Sequence, residues 1–260
     1  MSIAVYILAI LLGIVLIYSL INYLLSPRPP SRIGPEQISL STQRQIISSE
    51  ELKIGWSSTS GSTLFFYINP TIKDRTSISG NEYAKAVQIG SKQTLKILVA
   101  ADAGRGYANS PATLEVFVKN NPIPEIIEIP NISLQKWSAV AIVKQGRKFN
   151  IYINGKLMVS HVCTAMPDFD ETQPLRTGDA RLGGSIALMS LAPYPMNIDD
   201  VRSMVSSTSG TDGAPYISSG IFSFIPTFSV QVNLCPGGNC NSTKTSGSPG
   251  PLNQWTTPYA

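Results

Sequence analysis

The sequence predicts an all-β fold, a sandwich of two sheets, preceded by an apolar segment long enough to cross a membrane. Three observations carry that reading. Short stretches alternate apolar and polar residues from about residue 50 to about residue 234, at the spacing of successive strands. Residues 137–161, WSAVAIVKQGRKFNIYINGKLMVSH, read as three strands joined by two tight turns, and Asn154-Gly155 suits the positive φ of a type I′ hairpin. One face of this meander is apolar, so it needs a second sheet to cover it.

The elements follow in order. Residues 3–25 contain no charged side chain over 23 positions. As a helix they reach about 35 Å, enough for a hydrocarbon core of about 30 Å. A cleaved signal peptide fits poorly, because there is no basic leading region and no A-x-A-like site follows. Arg28, Arg32 and Arg44 follow the span and no Lys or Arg precedes it. The positive-inside rule therefore predicts a single-pass protein with its C-terminal bulk on the cytoplasmic side. Residues 26–35, SPRPPSRIGP, hold four prolines in ten and read as a semi-rigid spacer. Residues 37–49 give no clear signal.

Leu52, Ile54 and Trp56 alternate with Lys53 and Gly55, which predicts a strand. Further strands are expected over residues 63–68, 84–89, 94–100 and 113–119, with a short edge strand over 125–130 bounded by prolines. After the meander, residues 163–178 read as a loop and 179–191 as a strand. Asn197 is an N-cap for a helix over 198–206, with Asp199 and Asp200 in its first turn. Residues 222–224 and 228–234 read as two last strands. Residues 236–260 are rich in Gly, Ser and Pro and predict no core of their own. The organisation expected is a transmembrane anchor over 1–25, a Pro-rich spacer over 26–49, a jelly-roll sandwich over 50–235 and a tail over 236–260.

Three stretches resemble a known family. "IYINGKL" after a strand opened by Trp137, "STLFFYINP" over residues 62–70, and "ARLGGSIALMSLAPYPMNIDDVRSM" over 180–204 are similar to laminin-G-like, concanavalin A-like jelly rolls. The wording of residues 133–160 resembles versions in membrane-anchored minor capsid proteins of large icosahedral DNA viruses. That resemblance implies a concanavalin A-like sandwich that tethers an internal virion membrane to the inner face of a capsid. Its expected partners are the lipid bilayer and other capsid proteins. The competing class is a membrane-anchored, lectin-like module whose partner is carbohydrate.

Composition narrows the chemistry. The net charge of +4 is scattered, and neither a basic stripe nor a recognisable module points to nucleic acid. Three cysteines in 260 residues do not make a disulfide scaffold. The concanavalin-like fold also hosts glycosidases with carboxylates on one strand, and the sequence holds no such string. No enzyme activity and no cofactor are therefore expected. Asp168, Asp170 and Glu171 are the densest acidic group. They read as a solvated loop, or as oxygen donors for calcium, a common ligand of laminin-G-like domains. His161 is the only histidine and reads as structural, with Cys163 as a small buried hydrophobe. Lys144, Arg147 and Lys148 form a basic hairpin tip, read either as a solvated turn or as a contact for acidic protein or lipid headgroups. In the tail, Trp255 and Tyr259 are the bulky side chains expected to anchor it to partners.

Overall fold

A computed structural model describes residues 11–20, 30–58, 60–72, 81–100 and 109–217. The chain divides into a unit over Met1–Ser219 and a second over Gly220–Ala260. The strands expected over 222–234 and the tail with Trp255 and Tyr259 lie outside the described residues. Of the expected membrane span, residues 11–20 are described and form a helix, α1. Its apolar side chains, among them Leu12, Leu16 and Leu20, are exposed. Among the described residues no helix is long and apolar enough to cross a membrane.

The body is a two-sheet, all-antiparallel β-sandwich, the architecture the alternation predicts. Thirteen strands are described: β1 (Ser31–Arg32), β2 (Gln37–Ser39), β3 (Arg44–Ile47), β4 (Ser62–Ile72), β5 (Asn81–Ile89), β6 (Gln93–Ala100), β7 (Asn109–Val116), β8 (Glu125–Ser133), β9 (Ser138–Gln145), β10 (Lys148–Ile153), β11 (Lys156–Val162), β12 (Leu175–Thr177) and β13 (Leu182–Ala192). Sheet A runs β1-β13-β4-β9-β10-β11, with β2 also on β13, and sheet B runs β3-β12-β5-β6-β7-β8. The inner faces meet in one core. Leu64, Phe66, Val140, Ile142, Phe149 and Ile151 from sheet A pack on Leu95, Ile97, Leu114, Val116, Ile127 and Ile129 from sheet B. The meander turns as expected, with φ of 50° at Asn154 and 74° at Gly155.

Three expectations are corrected. Residues 49–56 form a helix, α2 (Ser49–Trp56), not a strand. Ser48 accepts from the Glu51 N–H while the Glu51 carboxylate accepts from the Ser48 N–H, closing a capping box. The buried set is Leu52, Gly55 and Trp56, the helical i, i+3, i+4 spacing, whereas Ile54 is 78 % exposed. Second, the sandwich starts before residue 50. β1, β2 and β3 fall inside the expected spacer and add to the distant strands β13 and β12. Third, the 163–178 loop contains β12, which bridges β3 and β5.

Sheet A is covered on its outer face as well. Helix α3 (Ile198–Thr208) begins at the Asn197 cap as expected and packs with Met196 and Val201 on Phe65, Tyr67, Ala141 and Tyr152. The Tyr67 hydroxyl reaches the end of α3, 2.9 Å from the Thr208 hydroxyl. An aspartate at position 151 would bury a charge between the sheets, because Ile151 is fully buried in the core. Ile151→Asp is expected to cost about 3 kcal/mol or more. An unchanged denaturation midpoint of the full chain in detergent would place Ile151 outside the core.

Candidate functional site

Helix α3 closes the outer face of sheet A, while among the described residues no helix covers the outer face of sheet B. Core residues alternate along its strands, so the intervening positions point outward. In register they make two rows. One runs Gln45, Arg176, Gln88, Thr94, Glu115 and Ile126 across all six strands. The other runs Lys85, Lys96, Thr113 and Glu128. Lys96 Nζ and Glu115 Oε1 pair across the rows at 2.5 Å. Apart from Ile126 the rows are polar, of both signs, with Tyr83 exposed beside them. Arg181 fixes the nearby margin, donating to Glu82 at 2.9 Å and to Asp179 at 2.8 Å. The Arg181 guanidinium holds the Asp179 carboxyl down at about 2.

The basic hairpin tip does not act as one group. Lys144 points inward over the Trp56 ring, 5.1 Å from its centre, and donates to the Trp56 carbonyl at 2.5 Å. Burial pushes its ammonium down to about 8. Lys144 is therefore part of the packing and not a free surface charge. Arg147 donates to the Thr164 carbonyl at 3.1 Å, and Lys148 is exposed.

The acidic residues of the 163–178 segment are engaged one by one. Asp168 faces Lys92 at 3.4 Å, and Glu171 pairs with Lys53 at 2.5 Å. Asp170 accepts from the Ser91 hydroxyl at 2.7 Å and from Thr172 N–H and Oγ1 at 2.9 and 2.6 Å. The Ser91 bond, followed by those from Thr172, holds its carboxyl at about 2.

The structure assembles its mixed donor set elsewhere. Among the described residues the one group of three metal-ligating side chains is Glu125, His161 and Cys163, whose ligand atoms all lie within 4.8 Å of one another. Glu125 opens β8, His161 is near the end of β11, and Cys163 follows two positions on. Glu125 Oε2 lies 3.0 Å from His161 Nε2. Its Oε1 accepts from the Thr164 N–H at 2.9 Å and from the Thr164 hydroxyl. Burial raises the Glu125 carboxyl, but the Thr164 and His161 hydrogen bonds overcome it and hold the group at about 2. Burial pushes the Cys163 thiol up to about 12, aided by the Glu125 charge and opposed by Arg147. Sequence reasoning treated His161 and Cys163 separately and missed Glu125. The H-x-C spacing on a strand was the available signal, since alternate residues share a face.

No family model matches the chain, and no curated protein matches it either. Among solved structures it is similar to the receptor-binding domain of the botulinum neurotoxin C/D mosaic serotype, at 14 % identity and a TM-score of 0.48, covering 72 % of this chain and 48 % of that one. It is also similar to the CBM40 of a Ruminococcus gnavus IT-sialidase bound to alpha2,3 sialyllactose, at 13 % identity and 0.45, covering 65 % and 96 %. The chain thus spans about half the length of the neurotoxin domain. At these values the likenesses carry no assignment of function.

Two titrations test the electrostatics. Lys144 has a folded pKa below its unfolded one, so the folded state binds fewer protons between them and stability rises with pH across that window. The wild type is expected to gain stability relative to Lys144→Met as pH rises from about 8 to about 10.5. Equal denaturation midpoints across that range would contradict its burial. Glu125 has a depressed pKa, so its contribution is present above about 4.5 and lost as pH falls through about 2. Over that fall, acid unfolding should erode the wild type's margin over Glu125→Gln.

Proposed function

We propose that the chain is a membrane-anchored, non-catalytic binding module whose concanavalin A-like sandwich presents the outer face of sheet B to a polyhydroxylated ligand. One observation carries this reading: the two in-register polar rows on the one sheet face that no described helix covers. Lys85, Lys96 and Arg176 alternate with Glu115, Glu128, Thr94, Thr113 and Gln88, so donors and acceptors are interleaved. A polyanion calls for a surface of one sign, whereas a neutral sugar matches mixed donors and acceptors. The non-catalytic reading is supported by the acidic side chains at 168, 170 and 171, each of which already has its own partner. The exposed apolar side chains of residues 11–20 support a lipid-facing segment.

A second reading has its own support. Arg32 and Arg44 flank the apolar segment and are exposed, which favours the cytoplasmic side. There the same sheet face would meet a protein shell, and the chain would tether a membrane to a capsid. Topology and ligand separate the two readings.

The full chain in detergent is expected to bind members of a glycan panel, with affinity falling about tenfold or more in Lys96→Ala and Glu115→Ala, the scale of one lost charged hydrogen bond. Absence of binding across the panel would remove the glycan reading. Asn131 lies in an N-x-S acceptor and is exposed, so its glycosylation in cells would exclude the cytoplasmic tether.

A further inference from the structure

We propose that Glu125, His161 and Cys163 form a site for one divalent cation of the zinc class, which clamps the open edges of the two sheets together. The site is independent of whether the outer face of sheet B binds a glycan. β11 ends sheet A and β8 ends sheet B, so any ion held by these three side chains joins two strands that share no backbone ladder. The donor set is one carboxylate oxygen, one imidazole nitrogen and one thiolate sulfur. Sulfur and imidazole ligands select zinc-like ions over calcium or magnesium.

The geometry is close to what such an ion requires. Tetrahedral zinc with bonds of about 2.0–2.3 Å holds its ligand atoms about 3.3–3.8 Å apart. Glu125 Oε2 and His161 Nε2, at 3.0 Å, are near that separation already. The three donors lie within 4.8 Å of one another, so closure asks about 1 Å of side-chain adjustment. The chain restricts that adjustment. His161 and Cys163 are alternate residues on an extended segment, and the Cys163 N–H donates to the Arg147 carbonyl at 2.9 Å, which carries the β10–β11 pairing past the end of β11. Both side chains therefore face the same way.

Thr164 orients the carboxylate. Its N–H and hydroxyl both engage Oε1, which leaves Oε2 turned to His161 as a one-oxygen ligand. Metal sites use second-layer hydrogen bonds in this way. Charge also fits. A zinc ion with one carboxylate and one thiolate is neutral, so the nearby Arg147 guanidinium faces no net positive centre. On binding, the thiol proton passes to solvent and the ion takes the thiolate. Cys163 is 1 % exposed and the His161 side chain 36 % exposed, so the ion enters on the His161 side and its fourth position opens to water there.

The test uses the full chain in detergent, stripped of metal and titrated with Zn²⁺, with Co²⁺ as a spectroscopic probe. One equivalent should bind, raise the thermal midpoint, and give a thiolate-to-cobalt charge-transfer band. Cys163→Ser should abolish the band, and His161→Gln should weaken Zn²⁺ binding about tenfold or more, the scale of losing one ligand or its support. His161→Gln sits at a partly exposed position and decides the matter if Cys163→Ser fails to fold. Stoichiometry and affinity unchanged in His161→Gln, or less than one equivalent bound by the wild type, would overturn the site.

Discussion

The burial of Trp56 between the sheets is the constraint on which the rest of the sandwich depends. Its ring is fully buried, and the indole N–H donates to Gln93 Oε1 on β6 at 2.8 Å. Its carbonyl, at the end of α2, accepts from Lys144 Nζ on β9 and from the Ser62 hydroxyl on β4 at 3.0 Å. One residue thus satisfies its own polar atoms while touching both sheets, and Gln93 passes the link on to the Asp168 carbonyl at 3.3 Å. A buried indole N–H without a partner is costly, so Gln93 must be buried with it. Lys144 must then give up much of its hydration to cap the helix end. The lowered Lys144 pKa is the electrostatic trace of that arrangement.

Legibility in the sequence followed the range of the interactions. The meander was readable because its register is local: a two-residue turn with two positive φ values leaves few alternatives. Helix α2 was misread because Leu52, Ile54 and Trp56 imitate a period of two. The Ser48–Glu51 capping box was the contrary signal, and Gly55 was the other. A Cβ there would lie 2.2 Å from Leu191, a close helix-to-sheet approach that no strand alternation implies. β1 to β3 were hidden for the opposite reason. Two to four residues cannot show periodicity, and their partners stand about 130 to 160 positions away on β12 and β13.

The two outer faces differ for reasons that reach back to single residues. β13 carries a break at Leu188, a non-glycine residue with φ of 49°, where pairing to β4 shifts between Ala187 and Ser190. The shift turns Leu188 toward the α3 side, where it joins Phe65, Tyr67 and Met196. Sheet A therefore has an apolar outer surface that α3 must cover, and the Asn197 cap starts the helix where it can do so. Sheet B has no such break toward an apolar outer face. Its outward positions are hydroxyls, amides and paired charges, which can stay in water or meet a polar ligand at no burial cost to the core.

The polar links between the sheets share one level of the sandwich. In sheet A the register places Lys144 opposite Phe149 and Phe149 opposite His161. In sheet B it places Gln93 opposite Val116 and Val116 opposite Glu125. All six side chains turn inward. The rung therefore reads Trp56, Lys144 and Gln93 on one side, Phe149 and Val116 buried in the middle, and His161 with Glu125 on the other. Apolar packing alone would leave the sheets free to slide at this level, since hydrophobic contact is not directional. Hydrogen bonds are directional, and one on each flank fixes both the spacing and the register of the two sheets. Glu125 and His161 are therefore held where they are by the same constraint that buries Trp56, across the width of the core. A pair placed by the whole sandwich in this way is preorganised before any ligand arrives.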